Sequence, residues 1–390
     1  MPLPFDLARN AYRPISQFPE YQSFSYNFDY VTIYILFLFI CLLPTIYSTS
    51  KMLIFYQKKK NSSTDREIHP YVFKSFLSMQ FMNINCTMLD FFVYRIPFTS
   101  AVTFYASTMK PDSFIRYLVA ALYGFEYISQ LYTVMFCFVR VLVLFHPKRH
   151  LKISRYLYIL WSITSLLISL IGCSPHIMTN AMAMQLDYPF QYGSIILTTM
   201  VGYASHAQVV GGYTFAIFVT ACIVLTTLAM LLKMKSLKLM KISEFRTLKN
   251  VRVSKFRNFG ISELSEFQIF GLSESRTIPN FGFSEFRNFG IFRFSDFRTF
   301  GMTQNSRRKS KAEMTLTITM CIILIPSLFS LFLTLTVLVA VRYTSYVILI
   351  RPIVLDCRVN IVSCYFYWTH PYFKINPVSK STTVRSLSTN

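Results

Sequence analysis

The feature that most constrains this chain is the placement of its apolar residues. They run in seven continuous blocks, at about 30–47, 71–94, 117–145, 156–177, 211–232, 314–341 and 346–368. A soluble chain of this length interleaves apolar and charged residues at the helix or strand period. A helix that spans a bilayer instead needs roughly 20 consecutive, predominantly apolar residues. The blocks predict an all-α membrane protein, a bundle of seven transmembrane helices. The fifth block is the least clean, because the chain before it, 192–204, is apolar but dotted with Gly and Ser.

The loops between the blocks predict the orientation. The net charge of +22 sits mostly between apolar runs rather than on one face or domain, which argues against a nucleic-acid binder and for a bilayer with anionic head groups. Lys58, Lys59, Lys60 and Arg66 lie between the first two blocks. Lys148, Arg149, Lys152 and Arg155 lie between the third and fourth. The fifth is followed by Lys233, Lys235, Lys238 and Lys241, and the sixth is preceded by Arg307, Arg308, Lys309 and Lys311. The alternate connections are poor in bases: 178–208 has no Lys or Arg, and 97–115 has only Lys110. Short loops rich in Lys and Arg stay in the cytoplasm. The expected layout is an extracellular N-terminal segment (1–29), helices 1–5 (30–232), a long cytoplasmic loop (233–313), helices 6–7 (314–371) and a cytoplasmic tail (372–390). Residues 1–29 lack the basic start, apolar core and small-residue cleavage site of a signal peptide, so the first block is expected to direct insertion.

The long loop carries a tandem repeat. Ser254-Lys-Phe-Arg-Asn-Phe-Gly260 recurs with variations from Ser265, Ser284 and Ser295, and degenerate copies start at Ser243 and Ser273. An eleven-residue period is compatible with a right-handed coiled coil. A glycine in every clear unit, each costing about 1 kcal/mol against alanine in a helix, argues for a low-complexity insert instead.

Few charges enter the blocks, and each marks function or a buried partner. With the predicted topology, Asp90, Glu126, Arg351 and Asp356 fall in the outer half of helices 2, 3 and 7. They are the candidate ligand-binding residues of a polar pocket open to the outside, with Arg351 placed to neutralise one acid. The alternative is that Asp90 and Arg351 lie close enough to the head groups to be solvated. Arg140 falls at the cytoplasmic end of helix 3, either as part of a partner surface or as a snorkelling anchor. Pro326 offers helix 6 a bend point. His150, His176 and His370 are expected at interfaces. No metal-ligand spacing or catalytic constellation occurs, and the eight cysteines fit buried, reduced, apolar roles. The sequon Asn85-Cys-Thr87 falls inside helix 2 and is not expected to be glycosylated.

Four stretches resemble the nematode serpentine chemoreceptors of the Srg superfamily, class U first and class gamma second. They are Pro19-Glu-Tyr21 with Tyr26-Asn-Phe28; Tyr94-Arg-Ile-Pro97-Phe-Thr-Ser100; Arg140-Val-Leu-Val-Leu-Phe-His-Pro147-Lys-Arg-His150; and Arg351-Pro352 with Asp356 and Tyr367-Trp-Thr-His-Pro371-Tyr-Phe-Lys374. The resemblance implies a G-protein-coupled receptor for a small environmental chemical, in the plasma membrane of a sensory neuron or its cilium, with no enzyme activity and no cofactor. It also implies that Arg140, Lys148, Arg149, Lys238, Lys241, Arg307 and Arg308 contribute to the surface for a heterotrimeric G protein. Two departures stand out: cysteines for the disulfide common in rhodopsin-like receptors are missing, and the repeat lies in the loop that meets the G protein. The rivals are a polytopic transporter using Glu126 and Asp356, and a receptor derivative spoiled by the insert.

Overall fold

The computed structural model describes residues 14–60, 70–109, 114–146, 149–199, 211–236, 304–339, 343–370 and 373. Among these residues the apolar blocks are helices. They are α1 (Tyr30–Lys60), α2 (Pro70–Asp90), α3 (Ile115–Phe145) and α4 (His150–Met178), then α5 (Gly211–Ser236), α6 (Gln304–Val339) and α7 (Thr344–Thr369). In a lipid core every backbone N–H and C=O must find its partner within the segment, which a helix provides. Five of the seven, α1 and α3 to α6, are long and apolar enough to cross a membrane. The other two, α2 and α7, carry four of the charged residues described below, Asp90, Arg351, Asp356 and Arg358.

The chain divides into two compact units, Met1–Ala229 with Lys311–Asn390, and Met230–Ser310. The described part of the second consists of helical turns at the end of α5 and the start of α6. The repeat at 243–301 and the tail beyond Phe373 lie outside the described residues. Helix α6 begins at Gln304, well before the expected position 314, and α4 begins at His150 rather than near 156.

Helix α4 shows how the first unit is built. Its buried residues are Ser154, Ser165, Ser169, Cys173 and His176, while Leu160, Ile163, Leu167 and Ile171 are exposed. This is the reverse of a water-soluble helix. Small residues let membrane helices approach closely, and large apolar ones face the lipid. Ser169 donates to the Gly124 carbonyl at 2.7 Å and the Trp161 indole to the Leu131 carbonyl at 2.9 Å, tying α4 to α3. The α1–α7 contact is likewise polar: Thr45 donates to Asn360 at 2.5 Å, and Ser48 and Thr49 meet Ser363 at 2.9 and 2.8 Å.

One end of the unit is capped by non-helical chain. Residues 182–185 and 195–198 pair as antiparallel strands β1 (Met182–Gln185) and β2 (Ile195–Thr198), with Met182 opposite Thr198. The stretch at 192–204, which reads as an untidy approach to helix 5, therefore holds a strand instead. Its apolar residues serve a cap: Ile195 and Leu197 join Ile15, Tyr21, Val31, Phe98, Val119 and Leu122 in one core cluster. The segment before α1 is thus folded in. Tyr21 is buried, stacks on Tyr192 at 5.0 Å and donates to Gln185 at 3.2 Å. Burial first, and Tyr192 second, hold its phenol pKa above the ordinary value.

Candidate functional site

Helix α2 does not stop at the expected end. It continues through a π-helical turn, Phe91–Arg95, into Ile96–Phe98. Residues five apart on an ideal α-helix point about 140° away from each other. The wider π turn, with its i→i+5 bond, brings them back to one side. Asp90 and Arg95 are such a pair, and Arg95 Nε donates to Asp90 Oδ2 at 2.6 Å. The rest of the guanidinium meets α7 as a fork: Nη1 and Nη2 donate to the two Asp356 oxygens at 2.7 and 2.8 Å. All three side chains are sealed from solvent, Arg95 completely. The Phe91 ring lies 4.2 Å from the guanidinium carbon.

A second pair joins α3 to α7. Arg351 Nη2 donates to both oxygens of Glu126 at 3.0 Å, and these side chains stay 32% and 25% exposed. Next to it, the Tyr94 hydroxyl donates to Tyr123 at 3.0 Å, and Tyr123 stacks on His176 at 4.0 Å. Two turns along α7 from Arg351, Arg358 donates to Asn83 of α2 at 2.9 Å and reaches Ser129 of α3 at 3.5 Å.

These groups border a cavity of about 400 Å³. Asp90, Glu126, Arg351 and Arg358 contribute charge, and Phe98, Phe215, Ile223 and Val347 contribute apolar wall. The hairpin closes part of it through Met184, Ile196 and Thr198. That volume falls in the range of small-molecule sites, which are mostly apolar with a few placed polar groups.

Toward the other end of α3, about 21 Å along the helix from Glu126 at 1.5 Å per residue, Arg140 is buried and donates to the Glu313 backbone carbonyl of α6 at 3.2 Å.

The sequence model of the serpentine type 7TM GPCR chemoreceptor Sru matches residues 15–255 and 291–376. The chain belongs to the Sru family of serpentine chemoreceptors. It is also 24% identical over 224 residues to the serpentine receptor class U-26 of Caenorhabditis elegans, covering 54% of this chain and 73% of that one. The class U resemblance of the four sequence stretches is therefore supported over class gamma. Sru is a family of receptors, not of enzymes, and the chain is a multi-pass membrane protein of the GPCR type. The matched ranges leave out 256–290, inside the repeat.

Within this Sru receptor the four expected ligand-site residues do gather. Asp90, Glu126 and Arg351 border the cavity, whereas Asp356 is not on its lining and has both oxygens taken by Arg95. Arg351 does neutralise an acid, Glu126. Asp90 is buried rather than solvated at a head-group level. His176 and His370, expected at interfaces, are buried as well, His370 beside the Phe366 ring at 4.9 Å. Of the expected G-protein surface, Arg140 is buried and Arg149 is exposed. Arg307 and Arg308 fall in α6, and Lys148, Lys238 and Lys241 lie outside the described residues. All eight cysteines are free, and Asn85 donates to the Phe81 carbonyl within α2.

The sequence-based site missed Arg95 and Arg358. Arg95 was legible only as part of the turn after helix 2; an acid and a base five residues apart in an apolar run were the available signal. Arg358 lies seven residues after Arg351, two helical turns on the same stripe, and that spacing could have identified it.

Proposed function

We propose that the chain is a seven-span chemosensory receptor with its N-terminus outside and its C-terminus in the cytoplasm. On this reading a small environmental chemical enters the cavity among α2, α3, α5, α6 and α7 and signals to a heterotrimeric G protein. The observation that carries it is the partly exposed Glu126–Arg351 pair bordering a drug-sized cavity, in the first half of α3, with the Arg140–Glu313 contact near that helix's other end. A ligand shifts an equilibrium only by interacting differently with its two states. A partly exposed ion pair that bridges α3 and α7 is open to such interaction, whereas the sealed Asp90–Arg95–Asp356 cluster serves as its fixed frame. At the inner end, Arg140 becomes available to a partner when α6 moves and its bond to the Glu313 carbonyl breaks. The basic loop flanks support the orientation, and the plasma membrane of a sensory cell is the expected location.

The test is expression of the full chain, and of a form lacking residues 249–303, in cells carrying a G-protein-dependent reporter. Both are exposed to a panel of small volatile and water-soluble chemicals. A response in either form that Arg140→Ala abolishes without loss of surface expression is the expected result. Chemical-driven current or uptake that persists when G proteins are blocked would make the chain a transporter.

A further inference from the structure

The charges around the cavity do not pair off evenly. Glu126 is engaged by Arg351, and Asp90 by Arg95. Arg358 also borders the cavity, yet among the described residues no carboxylate lies within 4.0 Å of it. Its hydrogen-bond partners among the described residues are neutral, the Asn83 amide oxygen and the Ser129 hydroxyl, and both are met by the same Nη2 atom. Its Nε is buried without a partner. The Asp90–Arg95–Asp356 cluster carries one negative charge in excess, but three of its four carboxylate oxygens are already committed to Arg95.

An arginine at the middle of a membrane bundle with only neutral hydrogen-bond acceptors is costly. A guanidinium has five N–H donors in a planar fork that suits a carboxylate. The rest of the lining is largely apolar, with Phe215 and Ile223 of α5 and Leu331 and Leu333 of α6 bordering the same space.

We infer that Arg358 is the anchor for an anionic ligand, so that the cavity takes a small organic acid with its carboxylate on Arg358 and its apolar body against α5 and α6. The inference rests on the ligand-cavity part of the function proposed above and is independent of G-protein coupling.

The experiment uses the full chain, purified in lipid nanodiscs. Thermal unfolding and direct binding are measured with octanoate, decanoate and phenylacetate, each beside its methyl ester, and with octylammonium as the opposite charge. The expected result is that at least one carboxylate raises the unfolding midpoint while its ester and the ammonium do not. Arg358→Gln, which keeps a donor for Asn83, should weaken that carboxylate by about tenfold or more. Arg358→Lys, which keeps the charge but loses the fork, should fall between. Equal stabilisation by acid and ester, a preference for the ammonium, no carboxylate effect across the panel, or an undiminished effect in both variants would each overturn the assignment. Binding that follows Arg358 while the reporter stays silent would sink the coupling alone and leave the anion site standing.

Discussion

Taking a guanidinium out of water costs several kcal/mol, and Arg95 remains buried because its partners face three of its nitrogens at 2.6 to 2.8 Å. Removing one member of such a group leaves an uncompensated charge, so Arg95→Met is expected to cost about 3–5 kcal/mol. The combined change Asp90→Asn, Arg95→Met, Asp356→Asn should recover most of that loss. Thermal unfolding of the purified receptor reads both, and a single mutant as stable as the triple one would show the cluster to be solvated. Glu126→Gln is expected to behave differently. Its pair with Arg351 is open to water in the cavity, and exposed pairs contribute about 1 kcal/mol or less, so the midpoint should barely move. Half of this arrangement was legible. A charge in an apolar run announces a partner, which brought Asp90, Glu126, Arg351 and Asp356 together. What stayed hidden was who pairs with whom, because the π turn that swings Arg95 onto Asp90 leaves no mark at the level of composition.

Between helices, a close approach is made where α4 crosses α3. A Cβ added at Gly172 would lie 2.7 Å from the Tyr127 ring. That ring borders the cavity and is held edge-on by Phe215 at 4.7 Å. Gly172→Ala should therefore destabilise by about 1–3 kcal/mol, the usual cost of overpacking. Adding Tyr127→Leu should relieve part of it, which a double-mutant cycle on unfolding midpoints would measure; strict additivity would mean that the two do not collide. The contact at Gly124 is milder, with Ser169 Oγ 3.3 Å from the added atom. Helix positions were the most legible part of the fold, since a lipid-facing run of this length has no other stable form. The hairpin was not. Its strands are short, their alternation is weak, and the connection from Leu186 to Ser194 is too long for the two-residue turn that betrays a hairpin in sequence.

For the molecule as a whole, the open question is what the repeat does to the bundle it interrupts. The family match leaves out 256–290, so that stretch is not matched by the pattern the family shares. The entropic cost of closing a flexible loop grows only logarithmically, by about 0.6 kcal/mol for each doubling. Deleting 256–290 roughly halves the connection between Ser236 and Gln304, and the same scaling limits the gain in stability to about 0.6 kcal/mol. The shortened chain should then unfold within a few degrees of the full one and reach the cell surface equally well. A large loss of either would mean that the repeat packs against the folded part as structure of its own. The proposed coupling would follow a different physics. On the proposed topology, the Phe-bearing stretch 256–290, tethered between α5 and α6, would be held at high local concentration near the Arg140 end of the bundle and would compete there with a partner. Deletion is therefore expected to increase the reporter signal at saturating chemical without changing the concentration that gives half of it. A shift in that half-maximal concentration with no change in amplitude would place the effect of the repeat at the ligand cavity instead.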